Sequence, residues 1–241
     1  MKMLSLLSFG ENGWGTLILS ATLTTLLLSL AALAVGAVVG GMIAAAKLSP
    51  HAPVRWFGSA YSVVFRGIPE LLVIYLFYFG GSGLVSAIGQ LFGADGFIEV
   101  PPFLIGSLAI GLISASYQAE VYRAARLALM PGEVEAASAI GMPRWRIFQR
   151  IMLPQIARYS LPGLSNVWQM SLKDSALVSV TGIAELMRAS QIAAGSTREY
   201  FLFYVIGGGC YLILTLVSNR AFIRAELRLN RAWLRRTAAQ A

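Results

Sequence analysis

A chain of 241 residues, 57% hydrophobic and only 12% charged, is far poorer in charge than a soluble domain, where about 25% of residues are charged; it reads as an integral membrane protein. The net charge of +8 does not point to nucleic acid, because the arginines gather in two groups of six, within 123–158 and 220–236, each flanking an apolar span. A single cysteine, Cys210, excludes a disulfide within the chain, and a single histidine, His51, offers no Cys/His cluster for a metal.

Residues 1–15 are short and mixed, with Lys2 and Glu11. The first span, 16–46, exceeds the ~20 residues that cross a bilayer, the excess being tilt or an interfacial first turn. It is also too long for the roughly 7–15 apolar residues of a signal peptide. Gly36 and Gly40 form a GxxxG face suited to close helix packing, although such spacing also arises by chance in a glycine-rich stretch. Lys47, Pro50, His51, Pro53 and Arg55 make a basic loop. The second span, 56–79, contains Arg66-Gly67-Ile68-Pro69-Glu70, with a kink expected at Pro69. A loop at 80–100 holds Asp95 and Glu99 and no Lys or Arg; the third span, 102–124, ends with Gln118, Glu120 and Arg123. After a polar segment at 131–155 come a fourth span, 159–180, a loop of balanced charge at 181–199 (Glu185 and Glu199 against Arg188 and Arg198), and a fifth span, 200–219, leading into the basic tail. The expected fold is therefore an all-α integral membrane protein, one transmembrane domain over 1–241, with five transmembrane helices. Basic loops alternate with acidic or balanced ones. That places the N-terminus outside and both the 131–155 segment and the C-terminus inside, with only Lys2 opposing.

The 131–155 segment predicts a helix–turn–helix outside the bilayer. Pro131 suits a first helical turn, and Glu133 and Glu135 place negative charge at the positive end of the helix dipole. Ala136, Ala137 and Ala139 continue the helix with little bulk, Gly141 can end it in the left-handed conformation, and Pro143 can start the next. The second helix is expected to stop at Leu153-Pro154.

Ionisable groups within spans are functional candidates, facing a partner or a water-filled path. Arg66 and Glu70, four apart, can pair on one helical face or line a path. Glu120 is either a path residue or an ion pair with Arg123. Asn166, Met170 and Lys173 share a face, whereas adjacent Lys173 and Asp174 point about 100° apart, so at least one needs a partner elsewhere.

Glu135-Ala136-Ala137, then Gly141, then Ile151-Met152-Leu153-Pro154 resemble the EAA signature of ABC-importer permeases, the alternative being an ordinary interfacial hairpin. Arg66-Gly67-Ile68-Pro69, the segment from Lys173 to Val180, and Glu185-Leu186 are similar to the polar-amino-acid permeases. RGIPELL from Arg66, and Arg158 to Gly163, resemble the histidine/opine branch. Glu133 stands where many members have glutamine, and Ser175-Ala176 replaces the commoner Thr-Ser. The resemblance implies a cytoplasmic coupling helix whose Glu133, Glu135, Ala136, Ala137, Gly141, Leu153 and Pro154 serve docking on an ATPase. It implies a multi-pass protein of the bacterial inner membrane that imports a polar or basic amino acid or an opine. Its partners would be a second permease, similar or identical, an ATPase dimer, and a periplasmic binding protein. Substrate-path candidates are Arg66, Glu70, Glu120, Asn166, Lys173 and Asp174.

No Walker A lysine is present, since Lys2, Lys47 and Lys173 follow Met, Ala and Leu, so ATP is expected on a partner chain, with no cofactor and no catalysis here. A channel or ion-driven transporter fits the intramembrane charges but leaves the hairpin without a use. A membrane enzyme would need a histidine cluster, paired catalytic carboxylates or a nucleophile motif, and the sequence has none.

Overall fold

The computed structural model describes residues 6, 8, 9, 13–93, 96 and 100–238, with side chains as far as 230. Lys2, Glu11, Asp95 and Glu99 lie outside the described residues. The elements are α1 (Gly15–Lys47), α2 (Ala52–Gly67), α3 (Glu70–Leu91), α4 (Pro102–Leu127), α5 (Pro131–Ala139), α6 (Arg144–Ile147) and a π-helical turn (Phe148–Met152). They continue with α7 (Leu153–Asp174), a 3₁₀ turn (Ser175–Thr181), α8 (Leu186–Thr197) and α9 (Tyr200–Ala238). Among the described residues, four stretches are long and apolar enough to cross a membrane: α1, α3, α4, and α9 as far as Asn230. The fourth expected span corresponds to α7, which has the length, 22 residues, but is amphipathic and ends at Asp174.

Several boundaries differ from expectation. The second span is not one kinked helix but two, because the proline ring disfavours a helical conformation at the residue before it. Ile68 is accordingly extended (φ −95°, ψ 137°), and α3 begins after Pro69. The expected loop from 80 is helical to Leu91, and most of 181–199 is α8 rather than loop. Leu153-Pro154 does not stop the hairpin's second helix. In an α-helix Pro154 would clash with the Arg150 carbonyl and lack the N–H to reach it. The preceding turn instead widens to π geometry, and Pro154 falls in the first turn of α7, where no donor is needed.

α4 is the axle of the fold. Half of its 26 residues are buried, most of them Gly, Ala, Ser and Ile. Lipid tails are as apolar as leucine, so helices in a bilayer associate by close packing and hydrogen bonds rather than by escape from water. Small residues permit that approach along the α1–α4 seam. A Cβ at Gly40 would lie 2.9 Å from the Ala115 carbonyl oxygen, and one at Gly36 would lie 3.0 Å from Ser114 Oγ. Leu28 and Ala32 of α1, Val73 and Ile74 of α3, Ala109, Ile110 and Ile113 of α4, and Val178 and Ile183 form one core. A second core joins Ile18 to Leu186, Ala193, Ala194 and Phe203, with Trp14 edge-on to Phe203 at 6.3 Å.

Polar glue holds the same seam. Gln118 is fully buried. Its Nε2 donates to Ser114 Oγ (3.0 Å) and to the Leu33 carbonyl of α1 (3.2 Å), and its Oε1 accepts from Tyr122 (2.8 Å).

Two glycine substitutions should therefore act in opposite directions. At Gly111 a Cβ would meet Val35 Cβ at 2.7 Å and the Ala32 carbonyl oxygen at 3.2 Å, so Gly111→Ala is expected to cost about 1–3 kcal/mol through overpacking. At exposed Gly83 of α3 a Cβ would meet nothing within 4 Å. Gly83→Ala should be neutral or stabilising by up to about 1 kcal/mol, the helical advantage of alanine. Thermal unfolding of the purified protein checks both signs.

Candidate functional site

The hairpin at 131–155 is built as its sequence dictates. Met130 is extended (φ −71°, ψ 125°), Pro131 opens α5, and Glu133 lies in its first turn. Beyond Ile140, Gly141 has φ of +78°, which lets the chain reverse. The Gly141 N–H donates to the Ser138 carbonyl (3.0 Å) and the Met142 N–H to the Ala137 carbonyl (3.1 Å). That reciprocal pair is a Schellman cap, with half-buried Met142 lying by buried Ala137 as such caps prefer. A Cβ at Gly141 would touch nothing, so backbone angle, not space, requires glycine. Glu133 Oε2 accepts a hydrogen bond from Gln155 Nε2, tying α5 to the base of α7. Of the expected coupling residues, Glu135, Ala136, Gly141, Leu153 and Pro154 are exposed, while Ala137 packs inward. Met130, Ile140 and Trp145 stand 72%, 79% and 65% exposed around them, a surface no described residue covers.

The charged candidates fall into separate groups. Arg66 and Glu70 form no ion pair among the described residues, because the break at Ile68-Pro69 removes the helical i, i+4 relation. Arg66 instead lies over the Tyr117 ring (5.4 Å) and 4.0 Å from Glu120 Oε1. Glu120 does pair with Arg123 (2.9 Å), but it also takes Lys47 of α1, whose ammonium bonds Ser62 Oγ at 3.1 Å as well. One carboxylate thus joins the ends of α1, α2 and α4. Glu70 and Asp174 are near enough to Tyr117, with Arg66, to act on its hydroxyl electrostatically.

Asn166 and Lys173 are exposed on one face of α7, with half-buried Met170 between them. Lys173 has no carboxylate within 4.0 Å among the described residues. It lines an open cavity of about 650 Å³ between α7, α8 and α9, together with Gln169, Met187, Tyr204, Gly207 and Tyr211. Asp174 is half-buried and does not line that cavity. The candidates thus divide into Arg66, Glu70 and Asp174 within electrostatic reach of Tyr117, and Asn166 with Lys173 on one face of α7.

Glu185 is the group that loop reasoning undervalued. It is fully buried, and it meets backbone rather than the Arg188 guanidinium. Its carboxylate caps α8 by accepting from the N–H groups of Met187 (2.9 Å) and Arg188 (2.7 Å), and it accepts from Tyr211 of α9 (2.9 Å). The Leu186 N–H donates to Thr25 of α1 (3.0 Å). Glu185 thereby fixes Tyr211, a wall of the cavity that holds Lys173. An acidic residue just before a short amphipathic run was the available signal for the cap; Tyr211 and Thr25 carried none.

Residues 36–229 match the family described as binding-protein-dependent transport system inner membrane component. Over 228 residues, 95% of this chain and 96% of the other, the chain is 50% identical to the octopine transport system permease protein OccQ of Rhizobium meliloti. It is 45% identical to the nopaline transport system permease protein NocQ of Agrobacterium fabrum, over 95% of this chain and 97% of that one. It is 35% identical to the histidine/lysine/arginine/ornithine transport system permease protein HisQ of Escherichia coli, over 90% and 94%. Among solved structures, an amino acid ABC transporter crystallised with histidines is 33% identical, with a TM-score of 0.74 over 89% of this chain and 95% of that one. The inward-facing MetNI methionine ABC transporter, 17% identical with a TM-score of 0.69 over 88% and 96%, shares the fold.

Removing the Glu185 carboxylate strands two backbone N–H groups and the Tyr211 hydroxyl in a buried site. Glu185→Ala is expected to cost about 2–4 kcal/mol, and Tyr211→Phe, which removes one neutral donor, about 1 kcal/mol. Thermal unfolding should rank wild type above Tyr211→Phe and both above Glu185→Ala.

Proposed function

The chain belongs to the family of binding-protein-dependent transport system inner membrane components, and from that premise we propose that it is the permease through which an ABC importer carries an opine or a basic amino acid. The exposed α5–α6 hairpin carries the reading: it is capped at Gly141, faced with small residues, and fixed to α7 through Glu133 and Gln155. An ATPase dimer binds and hydrolyses ATP and docks on this hairpin, and the permease itself supplies no catalytic group. A second permease, similar or identical, completes the path, and a periplasmic binding protein delivers the solute. α7 is the remaining membrane crossing, giving five with the N-terminus periplasmic and the C-terminus cytoplasmic; its polar face is sheltered by the path and the partner permease rather than by lipid.

Closure of the ATPases on ATP draws the paired hairpins together and opens the spans outward; hydrolysis returns them inward. Opines are amino acids bearing additional carboxylates, so the path needs cations for carboxylates and anions for ammonium or guanidinium groups. Lys173 supplies the first, Glu70 and Asp174 the second, with Asn166 beside Lys173. Contact along the path must be weak enough to release, so most of the affinity resides in the binding protein. The substrates named for the relatives, octopine, nopaline and basic amino acids, support this class.

Two outcomes are expected. Gly141→Val strains a position at φ +78°, and Glu135→Lys reverses charge on the docking surface. Each should leave the permease in the membrane yet reduce ATPase stimulation by the liganded binding protein by tenfold or more, and normal stimulation in both would remove the coupling role. Lys173→Met and Asp174→Asn should change the ratio of opine to arginine uptake per molecule in the membrane; an unchanged ratio at lowered abundance would place the path elsewhere.

A further inference from the structure

α3 alone is 22 residues, or ~33 Å, enough for a hydrocarbon core of ~30 Å. The 16 residues of α2 are surplus to that crossing, and α2 is not among the apolar spans. Its two sides explain why. Arg55, Ser59, Ser62 and Arg66, spaced 4, 3 and 4 apart, make one polar edge. On the other side Trp56, Phe57 and Val63 are 72%, 60% and 71% exposed. Basic edge beside aromatic and aliphatic face is the pattern of a helix lying in the plane of the membrane interface.

Along the polar edge, α2 and α4 enclose an open notch of about 460 Å³ lined by Lys47, Ser59, Ser62, Arg66, Tyr117 and Glu120. Three cations face one carboxylate here. Lys47 and Arg123 already hold Glu120, while Arg66, at 4.0 Å, is the outer member and its side chain is 47% exposed. The Ser59 hydroxyl, beside it in the notch, makes no hydrogen bond among the described residues. A cationic surplus, an available guanidinium and a hydroxyl therefore stand next to an apolar helix face, and Val63 lines the notch as well.

We propose that this notch seats the head group of an anionic phospholipid of the inner leaflet. Its phosphate lies against Arg66 and Ser59, and its acyl chains lie along Val63 and Trp56. Both requirements come from one molecule: a free anion would use the cations and leave the apolar face bare, whereas a phospholipid uses both. The choice of leaflet rests on the orientation proposed above.

The test uses the complete purified complex with its ATPase, titrated in mild detergent with phosphatidylglycerol or phosphatidylethanolamine and read by native mass spectrometry. Wild type should bind at least one phosphatidylglycerol about tenfold more tightly than phosphatidylethanolamine. Arg66→Gln should lose about fivefold in that preference, the scale of one basic residue at an anionic surface, and Arg66→Lys should recover most of it. Ser59→Leu, which fills the notch, should abolish the preference with the complex intact. Equal binding of the two lipids by wild type, or an unchanged preference in both Arg66→Gln and Ser59→Leu, overturns the proposal. Displacement of phosphatidylglycerol by millimolar inorganic phosphate also overturns it, in favour of a free-anion site; displacement by arginine does so in favour of a station on the solute path. Reporter fusions at Gly93 and Arg236 test the orientation separately: they should report opposite sides of the membrane, with Arg236 inside. Fusions on the reverse sides with lipid preference intact would assign the notch to the outer leaflet and overturn the inner-leaflet assignment alone.

Discussion

Inside a bilayer a polar group finds no water, so every donor and acceptor must be met by the protein itself. The α1–α4 seam is where this chain meets that demand most fully, and the other elements are arranged around it. Small residues bring the two backbones together, and Gln118 spends its amide on both helices while Tyr122 closes its carbonyl. Because α4 is fixed to α1, Glu120 near its end can gather Lys47, Arg123 and Arg66, and so hold α2. In the N-terminal half of α1, Thr25 receives the Leu186 N–H, and Glu185 beside it takes Tyr211. α8 and α9 are anchored in turn.

Much of this was legible in the residues, and what was missed has a common cause. Pro131, the alanines and Gly141 announced a capped helix, and the positive φ at Gly141 follows from local chemistry alone. In sequence Pro69 reads as a kink, although its effect on Ile68 divides the span in two and dissolves the pairing of Arg66 with Glu70, which presupposes an unbroken helix. Pro154 reads as a stop because the pattern of terminators does not include a widened turn that absorbs a proline. α8 was hidden by its flanking charges. The bond between Lys47 and Glu120, 73 residues apart, has no local signature, since either residue alone reads as a charge at a membrane surface.

The path candidates also separate in a way that spacing could not show. Lys173 and Asp174 are neighbours in sequence, yet Lys173 borders the cavity near α9 and Asp174 does not. α7 therefore presents opposite charges to two different surroundings, so a change in its tilt alters both at once.

α6, the π turn and α7 follow one another without a gap from Arg144 to Asp174. At ~1.5 Å per residue the 31 residues make a rod of about 46 Å. Its lower end carries Trp145 on the hairpin surface and its upper end carries Lys173. A rod of that length acts as a lever arm: swinging it by about 10° displaces the far end by ~8 Å, more than the width of a side chain. Besides the π turn beside Pro154, Pro162, with its missing backbone donor, gives the rod a compliant point placed closer to the top than to the bottom. The leverage is thus uneven: a tilt about Pro162 moves the hairpin end of the rod further than the end where Lys173 borders the cavity.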